Sequence, residues 1–187
     1  FKDALAFYDR FYTPNNAILI VAGDVEPADV KKMAAEIYGK VKRRAEPGER
    51  VRPLEPEPLA SRAVTLADPR VSQPSLRIGW GAPSYTTAKP GEAEALDVMM
   101  SILGEGTTSR LYRTLVLEKR LATSAGGWYG SSALDHTRAQ VSATPRDGVT
   151  LDTLRAEIKA VIADLAENGP TEEELTRAKR SMVAEMV

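Results

Sequence analysis

The chain has 187 residues, 43% apolar and 27% charged, with a formal charge of −1, which is ordinary globular composition long enough to bury a core. Ten basic and ten acidic residues lie up to position 60, fifteen and sixteen beyond it, so neither part carries the surplus that nucleic acid or anionic lipid requires. There is no Cys, which removes disulfides, thiolate metal sites and thiol nucleophiles together.

The first clear element is the apolar run at residues 17–22, AILIVA, bounded by Pro14 and Asn16 before it and Gly23 after. It predicts a buried strand. It is also the longest unbroken apolar run, far below the ~20 residues of a membrane-spanning helix. Pro27 then suits a first helical turn, and Val30, Met33, Ala34, Ile37 and Val41 recur at helical spacing, predicting a helix over 27–40 that Gly39 helps to stop. Residues 45–60 contain Pro47, Gly48, Pro53, Pro56 and Pro58 among charged residues and read as an extended, semi-rigid linker. The basic cluster Lys40, Lys42, Arg43 and Arg44 at its mouth is followed at once by Glu46 and Glu49, so a solvated helix end explains it better than an anion site.

Beyond the linker, strands are expected at 63–67 and 75–80, then a helix over 92–103 ended by Gly104, then a helix carrying Leu111, Leu115 and Leu117 that Thr107, Thr108 or Ser109 can cap. Strands at 123–129 and 138–144 follow. Leu154, Ile158, Val161, Ile162 and Leu165 form one stripe over 151–165, and Thr171 with Glu174 makes a capping box for a last helix through Leu175, Ala178 and Met182. Strand pairs alternating with helix pairs predict an α+β fold, a two-layer sandwich of a largely antiparallel sheet with helices on one face.

Chemistry is sparse. A zinc site needs about three side-chain ligands, and His136 is the only histidine, so neither a self-contained metal site nor a Ser-His-Asp triad is expected. The stretch from Gly104 to Ser109, GEGTTS, lacks the Gly-Lys-Ser/Thr of a phosphate loop and follows a helix; a helix-to-helix turn accounts for it. Trp80, Trp128 and Tyr129 fall in predicted strands with no basic strip, which favours core or sheet-face packing over a stacking platform. The chain opens on Phe1 and closes inside a helical pattern at Met182, Val183 and Met186, and so reads as a fragment.

Several stretches, in order along the chain, resemble the pitrilysin/insulinase family of zinc metallopeptidases, which includes the mitochondrial processing peptidases. They are Phe7-Tyr8, Tyr12-Thr-Pro-Asn-Asn16, Ile20-Val-Ala-Gly-Asp-Val25, the stretch from Leu103 to Tyr112, Leu117-Glu-Lys-Arg-Leu-Ala122, and Pro170-Thr-Glu-Glu-Glu-Leu175 leading into Ala178-Lys179. The resemblance implies homologous α+β halves closing around a chamber that admits unfolded peptides. On that template residues 1–44 are the closing strand-helix unit of the first half, 45–60 the linker, and 61–187 a second half truncated at its end. It places the H-x-x-E-H motif, the zinc and the general base upstream of Phe1, so no catalytic or metal-ligating residue is expected here, and zinc would belong to the full-length protein.

The family's Arg and Tyr, seven positions apart, match Val116 and Thr123 here. Neither can bind peptide or an oxyanion as they do, so a partner supplies that pair or the parent protein is a non-catalytic structural or binding subunit, with single-chain activity as the third and weaker option. Ser109 and Arg110, inside the matched stretch, are the substrate-chamber candidates. The resemblance further implies a peptide substrate, a homologous second subunit or a homo-oligomer, and a location in the bacterial periplasm or envelope. It leads to one structural expectation: the 17–22 strand takes up the place of a missing closing strand by pairing with strands of 61–187, within one chain or by exchange between two.

Overall fold

The computed structural model of the chain describes residues 1–49, 51, 52, 56 and 58–185, so Pro53 of the expected linker and Met186 of the last helical stripe lie outside the described residues. The chain forms two compact units, residues 1–64 and 65–187.

The first unit begins with a helix outside the elements expected above, α1 (Lys2–Phe11). Its aromatic residues pair at the four-residue spacing that brings neighbours together on a helix: the Phe7 and Phe11 rings are 4.7 Å apart and those of Tyr8 and Tyr12, stacked, 4.8 Å. Pro14 opens a single 3-10 turn, Pro14–Asn16. Thr13 Oγ1 donates to Asn15 Oδ1 at 2.6 Å and accepts from the Arg44 backbone N–H at 3.1 Å. Asn15 Nδ2 donates to Ala45 O at 3.1 Å and to Glu46 Oε2 at 3.0 Å, while Asn16 Nδ2 donates to Phe11 O at 2.9 Å. The Tyr-Thr-Pro-Asn-Asn motif is thus a polar clasp between the end of α1 and residues 44–46. Helix α2 (Pro27–Ile37) and a 3-10 turn (Tyr38–Lys40) occupy the expected 27–40 span, with Pro27 at the first helical position.

The expected strands at 17–22 and 63–67 do not form. Ile18 and Ile20 are 90% and 85% exposed, Val64 and Leu66 92% and 85%, and neither segment belongs to the sheet, so the expected pairing of 17–22 within one chain does not form. Branched apolar sequence marks a segment that suits a ladder, but a strand exists only where a neighbour supplies the hydrogen bonds.

In residues 65–187 the sheet has three antiparallel strands, β1 (Leu76–Ala82), β2 (Ala122–Tyr129) and β3 (Thr137–Pro145), in the order β1-β3-β2. Alternation in β3 sets its faces: Ala139, Val141 and Ala143 are buried, and Arg138, Gln140, Ser142 and Thr144 alternate with them on the other face. Helices α3 (Glu92–Gly104), α4 (Arg110–Tyr112), α5 (Leu151–Asn168) and α6 (Glu172–Glu185) supply the second layer. Met100, Leu111, Leu115, Val141, Leu154 and Ile158 are all 1% exposed or less at its centre, each contributing roughly 1.5–3 kcal/mol of burial. The result is the expected α+β two-layer arrangement.

Two glycines allow the layers to meet. A Cβ on Gly104 would lie 2.4 Å from Gly127 N, and one on Gly127 would lie 2.7 Å from Met100 Cε. The end of α3 therefore rests on the β2 backbone itself.

Candidate functional site

The turn that ends α3 leads into Ser109, whose backbone is extended and whose side chain is 2% exposed as a residue. Its Oγ donates to Gly106 O at 2.9 Å and accepts from the Tyr112 N–H at 3.4 Å, capping α4 as the run of hydroxyl residues suggested. After Tyr112 the helix widens into a π-helix (Arg113–Glu118), in which the Lys119 N–H reaches Thr114 O at 2.9 Å. Arg120 then stops it in the left-handed region, at φ 52°.

Arg110 turns inward and joins three helices. Its Nε and Nη2 grip both oxygens of Glu174 at 2.8 and 2.7 Å, Nη1 donates to Asp164 Oδ2 at 2.8 Å, and Nη2 also reaches Gly169 O at 2.9 Å. Glu174 accepts in addition from the Thr171 N–H at 2.8 Å, and Thr171 Oγ1 in turn accepts from the Glu174 N–H at 3.2 Å, so the predicted capping box is present. The Arg110 guanidinium, helped by the Thr171 backbone N–H, outweighs burial and holds the Glu174 carboxyl down at about 2; Glu174 in turn raises Arg110. A planar fork meeting a carboxylate with both arms is the strongest form of this contact. Ser109 and Arg110 are therefore both engaged within the fold. Beside them a groove of about 310 Å³ runs between the α3 end and α6, lined by Ser101, Glu105, Thr108 and Arg177 among others.

Val116 is 7% exposed, packed into the core from the π-helix, whereas Thr123 sits on the surface at the irregular start of β2 with its hydroxyl donating to Thr144 O at 3.3 Å. His136 is exposed in the loop before β3. Among the described residues no three His, Cys, Asp or Glu side chains come together in a way that could hold a metal ion. The donor set here does not fit zinc.

The feature that sequence reasoning missed is the face of the sheet turned away from the helices. Paired positions in an antiparallel ladder share a face, and the register aligns Gly79 with Gln140 and Gln140 with Trp128, then Arg77 with Ser142, then Gly81 with Arg138. Trp128 is 49% exposed, and a Cβ at Gly81 would meet nothing within 4 Å. Trp80 shares the opposite face with Ala139 yet is 43% exposed. Neither tryptophan is core; of the two expected placements, core or sheet face, both take the sheet face, on the edge strands β1 and β2. Tyr129 is half-buried, its hydroxyl donating to Pro83 O. No helix among the described residues is long and apolar enough to cross a membrane.

The peptidase M16 inactive domain model matches residues 1–182. A zinc protease of Helicobacter pylori, PqqE, is 28% identical over 189 aligned residues, covering all of this chain and 41% of that protein. The crystal structure of a protease from Helicobacter pylori superposes with a TM-score of 0.80 at 27% identity, over 99% of this chain and 44% of that one. The periplasmic protease PqqL of Escherichia coli shares the fold, with a TM-score of 0.69 at 19% identity, over 98% of this chain and 20% of that one. The chain thus spans less than half the length of these relatives.

Proposed function

The chain belongs to the peptidase M16 inactive domain family, and from that premise we propose that it is the non-catalytic part of a longer zinc metalloendopeptidase that takes extended or unfolded peptides. In this reading residues 65–187 form a wall of the chamber in which peptide is held, and the zinc and its ligands lie in another part of the protein. The observation that carries it is the one-sided sheet: helices cover the Val141 face, and the opposite face offers Trp128, Gln140, Arg77 and Arg138 to solvent. Ser109 and Arg110 enter this wall as its brace. In the same reading residues 1–44 are the closing unit of a first homologous half, 45–60 the linker, and 61–187 a second half truncated at its end. A homologous second subunit or a second copy contributes the Arg and Tyr whose places Val116 and Thr123 hold, and the parent protein works in the periplasm, as PqqL does.

A non-catalytic structural or binding subunit is the second reading, favoured by the burial of Val116, which leaves that position no route to a substrate. The test uses the longer protein containing this chain and a fluorescence-quenched unfolded peptide. Chelator-sensitive cleavage is expected, and a bulky maleimide on Gly81→Cys should slow it while the same group on Lys159→Cys, exposed on α5, should not. Equal rates for the two adducts would overturn the wall. No chelator-sensitive cleavage by the longer protein, with or without its partner, would leave the second reading.

A further inference from the structure

Resting on the wall reading, we propose that the open face of the sheet selects extended peptide segments that carry two acidic side chains four residues apart, with an apolar residue between them. The three strands contain no Asp or Glu, and their only charged residues are Arg77 and Arg138. The ladder turns both to the same, uncovered side: Arg77 lies opposite Ser142, and Arg138 opposite Gly81. Both are exposed, and neither forms an ion pair among the described residues. At least seven other arginines among the described residues, including Arg110 and Arg113, do. Unopposed positive charge on an uncovered sheet face calls for a carboxylate from outside.

The spacing specifies the partner further. Four strand residues separate Arg77 from the level of Arg138, about 13 Å at the ~3.3 Å rise of a strand, which is also the distance between same-side residues four apart in an extended peptide. The row midway between, Gly79-Gln140-Trp128, supplies a cleft without a side chain, an amide able to both donate and accept, and an exposed indole. An apolar side chain at the central position of the peptide meets that indole. A polyanion such as nucleic acid is disfavoured by the same arithmetic, since two cations 13 Å apart, on a chain of net charge −1, neutralise too few phosphates.

The test is fluorescence anisotropy of the 187-residue chain with a labelled nine-residue peptide of the form Asp-x-Leu-x-Asp in neutral surroundings. The expected result is saturable binding that weakens at least 10-fold when both Asp become Asn, or when NaCl rises from 0.05 to 0.5 M. Arg77→Gln, Arg138→Gln and Trp128→Ser should each weaken it about 5-fold or more with the melting temperature unchanged. Arg113→Gln, an exposed arginine off this face paired to Glu118, should leave it unchanged. Equal affinity for the Asp and Asn peptides, or insensitivity to Arg77→Gln and Arg138→Gln together, overturns the acidic preference. That failure is distinct from failure of the wall: in the longer protein, a Gly81 adduct that still slows cleavage while acidic and neutral peptides are cut alike keeps the wall and rejects the selectivity.

Discussion

Residues 1–64 and 65–187 are ordered by different forces. Every buried apolar side chain among the described residues lies between Leu76 and Ala178, whereas in the first unit the one buried side chain is Thr13, a polar one. The second unit is held by two layers closing on Val141 and Leu154; the first is held by helix propensity, aromatic pairs along α1 and the hydrogen bonds of the Thr13, Asn15 and Asn16 clasp. Both units carry branched apolar runs of similar sequence quality. Only where a second layer and a ladder neighbour are present does such a run become core, so the contrast separates what a segment is suited to do from what its surroundings let it do.

The largest effects should fall on the layered unit. Leu154→Ala or Leu111→Ala, at fully buried positions, should lower the free energy of unfolding by about 2–5 kcal/mol, measured by urea denaturation followed through Trp80 and Trp128 fluorescence. A loss below 1 kcal/mol at both would mean that the two units are less different than their burial suggests.

Glu174→Gln comes next. The wild-type carboxyl titrates at about 2 in the fold against an ordinary 4.5, so its stabilisation is present above about pH 4.5 and is lost as pH falls toward 2. The shift corresponds to roughly 3 kcal/mol, an upper figure for a pair that burial also penalises. The variant should melt well below wild type at pH 7, and the difference should shrink steadily from pH 5 to pH 2. A gap that stays constant over that range would show that the Arg110 contact is not what sets it.

Gly104→Ala probes the contact between layers directly. Its Cβ would meet the Gly127 backbone at 2.4 Å, and backbone cannot rotate away as a side chain can, so a cost of about 1–3 kcal/mol is expected from overpacking. An unchanged melting temperature would indicate that α3 stands farther from β2 than described. In the first unit the counterpart is Asn15→Ala, which removes the bonds to Ala45 O and Glu46 and should cost about 1 kcal/mol, seen as faster amide exchange at residues 8–16 and 44–46 with the second unit unaffected.

Much of the layered unit was legible because its signals agree at every level. The stripe at 151–165 named a helix and its buried face, the Thr171 and Glu174 capping box named the start of the last helix, and 138–144 was expected as a strand. What escaped was whatever depends on neighbours distant in sequence. Nothing local reveals that Arg110 meets Glu174, 64 positions on, so the internal partners of this residue could not be read from the family stretch that singled it out. Nor could periodicity reveal that Trp80 and Trp128 lie in edge strands. The open face was readable in principle, since Arg138, Gln140, Ser142 and Thr144 alternate with small apolar residues, but its meaning needed the register that brings Gly79, Gln140 and Trp128 into one row. Helix α1 was passed over although Ala4, Phe7, Tyr8 and Phe11 recur at helical spacing; none of them is buried, so this stripe, unlike that of 151–165, does not mark core.

The smallest effect, and the sharpest test of the contrast, concerns the 17–22 run. Ile18 and Ile20 lie on one side of an extended segment by the two-residue period, and both are almost wholly exposed. Exposed side chains of this kind contribute little to folding free energy, so Ile18→Asn with Ile20→Asn should change it by no more than about 0.5 kcal/mol. The same pair should raise solubility, because unpaired apolar strand sequence is a template for edge-to-edge association. Sedimentation of wild type and the double variant at increasing concentration separates the alternatives. Wild type that self-associates while the variant stays monomeric, at equal stability, agrees with a strand-forming segment lacking a ladder. A loss above 1 kcal/mol would instead show that the segment is buried in solution, and residues 1–64 would then depend on apolar packing as residues 65–187 do.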